Sequence, residues 1–294
     1  MCKAHASEWT WDQWVSSGIL EATAVAVDWT QRGRKTWLQR ERAALAAHEQ
    51  MLGHHDTFDF PAFVMNLGHR EDRREHSEAL LGALGFTNLI FPETILAADI
   101  NFDDTIAQGW LTRASFNGLN DRVHLRKDSA KRAYVANTIG HLSALRQALE
   151  SSSDVFFVFE DDLLPTASLF QIKQALRRLL AALTSQVSHH NTGTDGLIDM
   201  LYLEYCYENC THTPLLLLPG CRGMEGTYGC SFVRARSPIC SGAIAYTRAG
   251  ALRVLQQCVP IFDGIDGMLP SLILNGSLSG LNYKYVYITY IYTC

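Results

Sequence analysis

The chain has 294 residues, 47% of them hydrophobic and 19% charged, a balance that suits one large α/β domain or two modest ones with a sizeable core. Its formal net charge of −5 gives no electrostatic footing for a nucleic-acid partner. Charges interrupt the long apolar runs, as Glu21 does in "SSGILEATAVAVDW", so no transmembrane segment is expected, and "MCKAHASEWTWDQW" lacks the apolar region of a signal peptide.

Residues 1–58 carry Trp9, Trp11, Trp14, Trp29 and Trp37, followed by the pattern "RKTWLQRERAALAAHEQML", in which Trp37, Leu38, Ala44, Leu45 and Leu52 share one broad face. This reads as an N-terminal extension, Trp-rich and partly helical, that packs on or tethers a main domain spanning 59–294. "AFVMNL" then predicts a short strand, and "REDRREHSEALLGALGF" a helix with Leu80, Leu81 and Leu84 inward, ending near Gly85. "NLIF" predicts a second strand. The stretch with Asp99, Asp103 and Asp104 is less regular and reads as a loop. "SAKRAYVANTIGHLSALRQALESS" is a helix by the spacing of Val135, Ile139, Leu142, Leu145 and Leu149. After the strand "DVFFVF", "SLFQIKQALRRLLAALTSQ" presents Leu169, Ile172, Leu176, Leu179 and Leu183 on one helical face. "LIDMLYLEY" and "SGAIAYT" predict buried strands, "RAGALRVLQQC" a helix, "FDGIDGMLPSLIL" a loop entering a helical turn, and "YKYVYITYIY" a terminal strand. Such alternation predicts a three-layer α/β/α sandwich with a mainly parallel central sheet.

The stretch "DVFFVFEDDLLP" carries the clearest chemical signal. Val155–Phe159 suit a strand covered on both faces, but three unpaired carboxylates cannot follow into an apolar interior. The chain is therefore expected to surface at Glu160, Asp161 and Asp162, with Pro165 leading into a loop or helix start. Carboxyl ends of strands in open α/β sheets are ligand sites. A Walker B strand would need a G-x-x-x-x-G-K-[S/T] partner, yet no lysine follows a glycine. G-x-G-x-x-G, G-x-S-x-G and H-E-x-x-H are absent too, and "HEQML" has leucine where a second histidine would stand. Two readings remain: a site for Mn²⁺ or Mg²⁺, which prefer hard oxygen ligands, or a solvated strand end.

Seven of the eight cysteines lie in the last third, at 206, 210, 221, 230, 240, 258 and 294, together with N-x-[S/T] sequences at Asn209 and Asn275. This clustering favours an oxidising secretory lumen, ER or Golgi, and at least one disulfide within 206–258. Buried free thiols or a zinc site built on Cys206 and Cys210 are the competing readings.

Three blocks in this order resemble glycosyltransferase family 25, which includes lipopolysaccharide galactosyltransferases and collagen β-galactosyltransferases. "FVMNLGHREDRREHSEALLGALGF" is similar to the family's opening strand and helix, with its "-INL-x-R-x-x-R-" motif. "IGHLSALRQALESSSDVFFVFEDDLLP" is similar to its "-SHL-" helix, apolar strand and E-D-D, with Gly140 in place of the serine. "CSGAIAYTRAGALRVLQQCVPIFDGIDGML" resembles its third block. The likeness covers residues 62–270, and the prolines and polar residues near the family's end are not seen before the closing "ITYIYTC".

The resemblance implies a GT-A fold, a UDP-sugar donor (commonly UDP-galactose) and metal-assisted transfer of a hexose to a hydroxyl of a glycan or protein acceptor, with inversion expected. Carried onto this chain, Asn66, Leu67, Arg70 and Arg73 meet the donor along with Glu160 and Asp161. Asp162 is the expected direct metal ligand, assisted by Glu160. Asp266, and after it Asp263, is the candidate base; Glu204 and Glu208 are alternatives. His141 is expected to support the acidic segment structurally. The competing readings are a catalytically degenerate transferase fold acting as a binding module and a metal-dependent phosphoesterase.

Overall fold

The computed structural model describes residues 31–52, 57–122, 125, 127–165, 167–188, 198–203, 215–216, 232–235, 238, 240–283 and 288–290. Helix α1 (Gln31–Leu52) is followed by β1 (Ala62–Met65), α2 (Glu71–Leu84) and β2 (Leu89–Ile90). Two short helices, α3 (Phe102–Ala107) and α4 (Arg113–Asn120), lead into the long α5 (Asp128–Glu150). Next come β3 (Val155–Glu160), β4 (Leu163–Pro165), α6 (Leu169–Ser188) and β5 (Met200–Tyr202). The remainder holds β6 (Leu215–Leu216), β7 (Phe232–Arg234), β8 (Ala243–Thr247), α7 (Arg248–Cys258), α8 (Ile265–Leu274), β9 (Gly280–Tyr283) and β10 (Ile288–Tyr290).

Eight strands form one sheet in the order β2-β1-β3-β8-β5-β9-β7-β6, while β4 and β10 pair antiparallel apart from it. Every strand of the large sheet points the same way except β7 and β8. The chain is thus mixed α/β with a mostly parallel open sheet. The reversal of β8 in its centre is not visible in "SGAIAYT": a run buried on both faces marks a strand but not its direction.

Alternation along β3 divides the core. Val155, Phe157 and Phe159 pack with apolar side chains of α1, α2 and α6, whereas Phe156 and Val158 pack with those of α5, α7 and α8. Helices therefore cover both faces. The edge-to-face contacts of Phe86 with Phe157 and Phe159, at 5.0 and 5.5 Å between ring centroids, fasten the turn after α2 onto β3. Gly85 ends α2 in the left-handed region at φ 102°, as a C-terminal glycine should.

Within the expected extension, α1 buries Trp37, Leu38 and Leu45 in the same core as α2 and α6. Glu41 Oε2 accepts the backbone N–H of Leu169 at 3.0 Å, capping α6 from a neighbouring helix, and Lys173 pairs with Glu49. Residues 1–30, with most of the tryptophans, lie outside the described residues. The expected loop around Asp99–Asp104 is a 3-10 turn and then α3, which begins because Asn101 accepts from the N–H groups of Asp103 and Asp104. No described helix is long and apolar enough to cross a membrane.

Cys240 is disulfide-bonded, with its partner outside the described residues. Cys258 is free and buried, and burial pushes its thiol up to about 12.

Close approach makes Gly250 a sensitive position: a Cβ there would lie 1.9 Å from the carbonyl oxygen of Asp199, where α7 packs down beside β5. Neither backbone can yield cheaply, so Gly250→Ala is expected to destabilise by at least about 1–3 kcal/mol. Gly82, near the end of α2, has nothing within 4 Å of the same atom. Gly82→Ala should instead gain up to about 0.5–1 kcal/mol. Thermal melts of the two variants check both signs.

Candidate functional site

Leaving β1, the chain passes through α2 on one face to β2, then returns through α5 on the other face to β3 on the opposite side of β1. The C-terminal ends of β1 and β3 thus border a topological switch point, where α/β sheets leave a crevice. Met65 pairs with Glu160 in register there. A cleft of about 240 Å³ opens at this point, lined by Asn66, Leu67, Arg73, Glu160, Asp161 and Asp162, with Thr94, Ile95 and α5 forming its other walls.

The acidic run does not simply surface. Asp161 is only 7% exposed. Asn66 Nδ2 donates to its Oδ2 at 2.7 Å, Arg73 Nη1 to its Oδ1 at 2.8 Å, and Ser77 Oγ to its backbone carbonyl at 3.2 Å. With the charge compensated, the chain turns at Asp161–Asp162 and re-enters the interior as β4, whose three residues are all buried. The expected exit at Pro165 is corrected accordingly: Pro165 closes β4, opposite Ile288.

The same Arg73 nitrogen reaches Asp162 Oδ2 at 3.2 Å. Asp162 Oδ1 is buried and has no hydrogen-bond partner. Desolvation, and then the charge of Glu160, push this carboxyl up to about 6 against the opposing pull of Arg73. Glu160 leans the other way. Its Oε1 lies 3.0 Å from His141 Nε2 and accepts from Ser241 Oγ at 3.3 Å. His141 is buried in the middle of α5, at the back of Glu160.

Arg70 stands apart from the cleft. Its guanidinium forms two 2.9 Å bonds to Asp72, which hold that carboxyl down at about 2, and only its carbonyl joins the network, accepting from Asn66 Nδ2 at 3.1 Å. The carboxylate two residues away engages the guanidinium locally. Leu67, 38% exposed, sits at the cleft's edge.

The two candidate bases differ sharply. Asp263 has both oxygens engaged: Oδ2 accepts from Arg122 Nη2 at 2.6 Å, and Oδ1 from Tyr134 O–H at 2.5 Å and Gly264 N–H at 2.7 Å. Desolvation and this bond push the Tyr134 hydroxyl up to about 12. Such a knot positions the start of α8. Asp266, in the first turn of α8, has a buried Oδ1 without a partner. Burial foremost, then the Glu160 charge, raise its carboxyl, while Ser241 and His141 oppose the rise. Glu204 and Glu208 lie outside the described residues.

Among the described residues no three His, Cys, Asp or Glu side chains form a ready ligand cluster. Sequence reasoning passed over Ser77, Arg122, Tyr134 and Ser241, since each acts through a contact distant in the chain. No protein-family model matches this chain, and no curated protein sequence matches it.

The raised carboxyl of Asp162 sets a pH dependence. Above about pH 6 the folded chain carries the full cost of a desolvated charge; below about pH 4 the group is protonated in both folded and unfolded chains and the cost vanishes. Without divalent cations, Asp162→Asn should therefore stabilise the fold at pH 7, on the order of 1–3 kcal/mol. The gain should fade as pH drops from 6 to 4. Melting temperatures of both proteins across that range measure it.

Proposed function

We propose that this chain is a glycosyl-transfer enzyme acting on nucleotide-diphosphate sugars at the cleft between β1 and β3. Taken with the resemblance to glycosyltransferase family 25, the specific reading is a GT-A-type, metal-assisted hexosyltransferase that moves galactose from UDP-galactose to a hydroxyl of a glycan or protein. One observation carries it most: at a switch-point cleft, Asp162 keeps a buried carboxylate oxygen without any partner. A polar atom left in that condition is costly unless a ligand completes it.

The residues present fit a hard divalent cation. Asp162, whose buried Oδ1 has no partner, would hold Mn²⁺ or Mg²⁺; Glu160 lines the same cleft, but its Oε1 is engaged by His141 and Ser241 and would have to turn to assist. Bound there, the ion supplies neutralisation of the departing diphosphate. The chain's own residues do the positioning. Asn66 and Arg73 pin Asp161, and that pin sets the turn from which Asp162 faces the cleft. Leu67 and Ile95 contribute apolar surface at the rim for a nucleoside. Asp266, whose carboxyl is raised by burial and then by the Glu160 charge, is the candidate base towards an acceptor hydroxyl, reached from behind Glu160 rather than from the cleft lining itself.

Arg73 also supports a second reading. Its guanidinium already pairs with both Asp161 and Asp162, so a cleft that binds sugar nucleotides without metal or turnover is the alternative. Calorimetry of UDP with and without Mn²⁺, on the wild type and Asp162→Asn, separates the two. Under the enzymatic reading each ligand strengthens the other, and the variant loses this coupling. Equal UDP affinity in all four titrations favours the binding module, and no UDP binding in any of them rejects both.

If Asp266 accepts the acceptor's proton, Asp266→Asn should lower turnover of UDP-galactose by about 10²–10⁴-fold with UDP affinity preserved. Asp263→Asn should instead lower the melting temperature, because it weakens the knot with Arg122 and Tyr134.

A further inference from the structure

The far end of α8 carries a feature unrelated to the cleft. Asn275-Gly276-Ser277 has the form of an N-glycosylation acceptor, and it follows the helix directly. Asn275 and Gly276 are exposed. The turn closes through Asn275 N–H to the carbonyl of Ser271 at 3.1 Å, Gly276 N–H to Ile273 at 3.2 Å and Ser277 N–H to Leu272 at 2.9 Å, with Gly276 at φ +79°. Asn275 Oδ1 also accepts the N–H of Ser277 at 2.9 Å. That bond fixes the side chain by its oxygen and leaves Nδ2 as its free group. Every partner lies within a few residues, so the turn needs no distant part of the fold.

Two further observations bear on the same site. Leu274, beside the asparagine, is the most exposed large hydrophobic residue described, at 64%, an apolar surface that a bulky neighbour would shield from water. Cys240 is disulfide-bonded, which points to maturation in an oxidising compartment, where N-linked glycans are also added.

We propose that Asn275 is an N-glycosylation site. Nδ2 attacks the anomeric carbon of an oligosaccharide carried on a lipid diphosphate. The new C–N bond replaces the C–O bond to phosphate, the lipid diphosphate leaves, and the amide proton passes to the host enzyme that catalyses the transfer. Helix α8 is ten residues long, about 15 Å, so Asn275 stands a helix length from Asp266, and it is not among the residues that line the cleft.

The full chain, secreted from cultured eukaryotic cells behind a cleavable signal sequence and carrying Asn209→Gln to isolate the site, tests this. The peptide containing Asn275 should be recovered with aspartate at that position after enzymatic removal of N-glycans. Asn275→Gln and Ser277→Ala should each abolish the glycan's mass, and Ser277→Thr should keep it. UDP affinity should be the same with and without the glycan. Recovery of unmodified Asn275 from secreted chain whose Cys240 is disulfide-bonded would overturn the inference. So would chain whose Cys240 stays reduced in the secretory pathway, because the compartment argument fails with it.

Discussion

The bond between Arg73 and the buried carboxylate of Asp161 is the constraint on which the site depends. A lone carboxylate at 7% exposure would be prohibitively unfavourable, and removing one partner of such a pair commonly costs about 3–5 kcal/mol. Arg73 comes from α2, Asn66 from the end of β1 and Ser77 from the next turn of α2, so a single aspartate gathers three points of the chain. Its neighbours inherit their directions from that anchorage. Glu160 is left facing α5 and β8, Asp162 the cleft, and the chain is returned to the interior as β4. Three adjacent acids thereby acquire three different environments.

A second polar assembly lies beyond the cleft lining. His141 and Ser241 hold Glu160 from α5 and from the approach to β8, while Asp263 ties Arg122 and Tyr134 to the start of α8. Asp266 rides on that start. Polar contacts between elements far apart in the chain thus tie the acidic run to α2, α5 and the approach to β8, on top of the apolar layers that cover both faces of the sheet. Buried polar networks of this kind favour one arrangement strongly, because any shift leaves several groups unpaired at once.

Much of the fold was legible because its elements announce themselves locally. The apolar spacing of α2, α5, α6 and α7 and the unbroken run of β3 need nothing beyond neighbouring residues. Short capped helices were harder: α3 and α4 depend on the side chains of Asn101 and Thr112, which also suit loops. The direction of β8 and the pairing of β4 with β10 come from distant contacts and leave no periodic trace. In the site, "EDD" and "MNL" stood out as strand ends, and the structure does bring Asn66, Leu67, Arg73 and the three acids together. What the pattern could not convey was how they share charge. Nothing in "REDRREHSE" tells that Arg73 reaches inward while Arg70 turns to Asp72, since both fit an exposed helix start.

The reversed strand β8 has a consequence for how the protein is made. It occupies the middle of the sheet, with β3 on one side and β5 on the other, yet it is translated long after β3. Until then, a nascent chain that has already assembled β2, β1 and β3 presents the bare edge of Val155–Phe159, five consecutive apolar residues. Chain synthesis proceeds at roughly 5–20 residues per second, so that edge waits for seconds beside other growing chains. An unpaired strand edge of this kind invites pairing with a neighbour. The architecture therefore places the chain's period of greatest vulnerability before the central strand arrives.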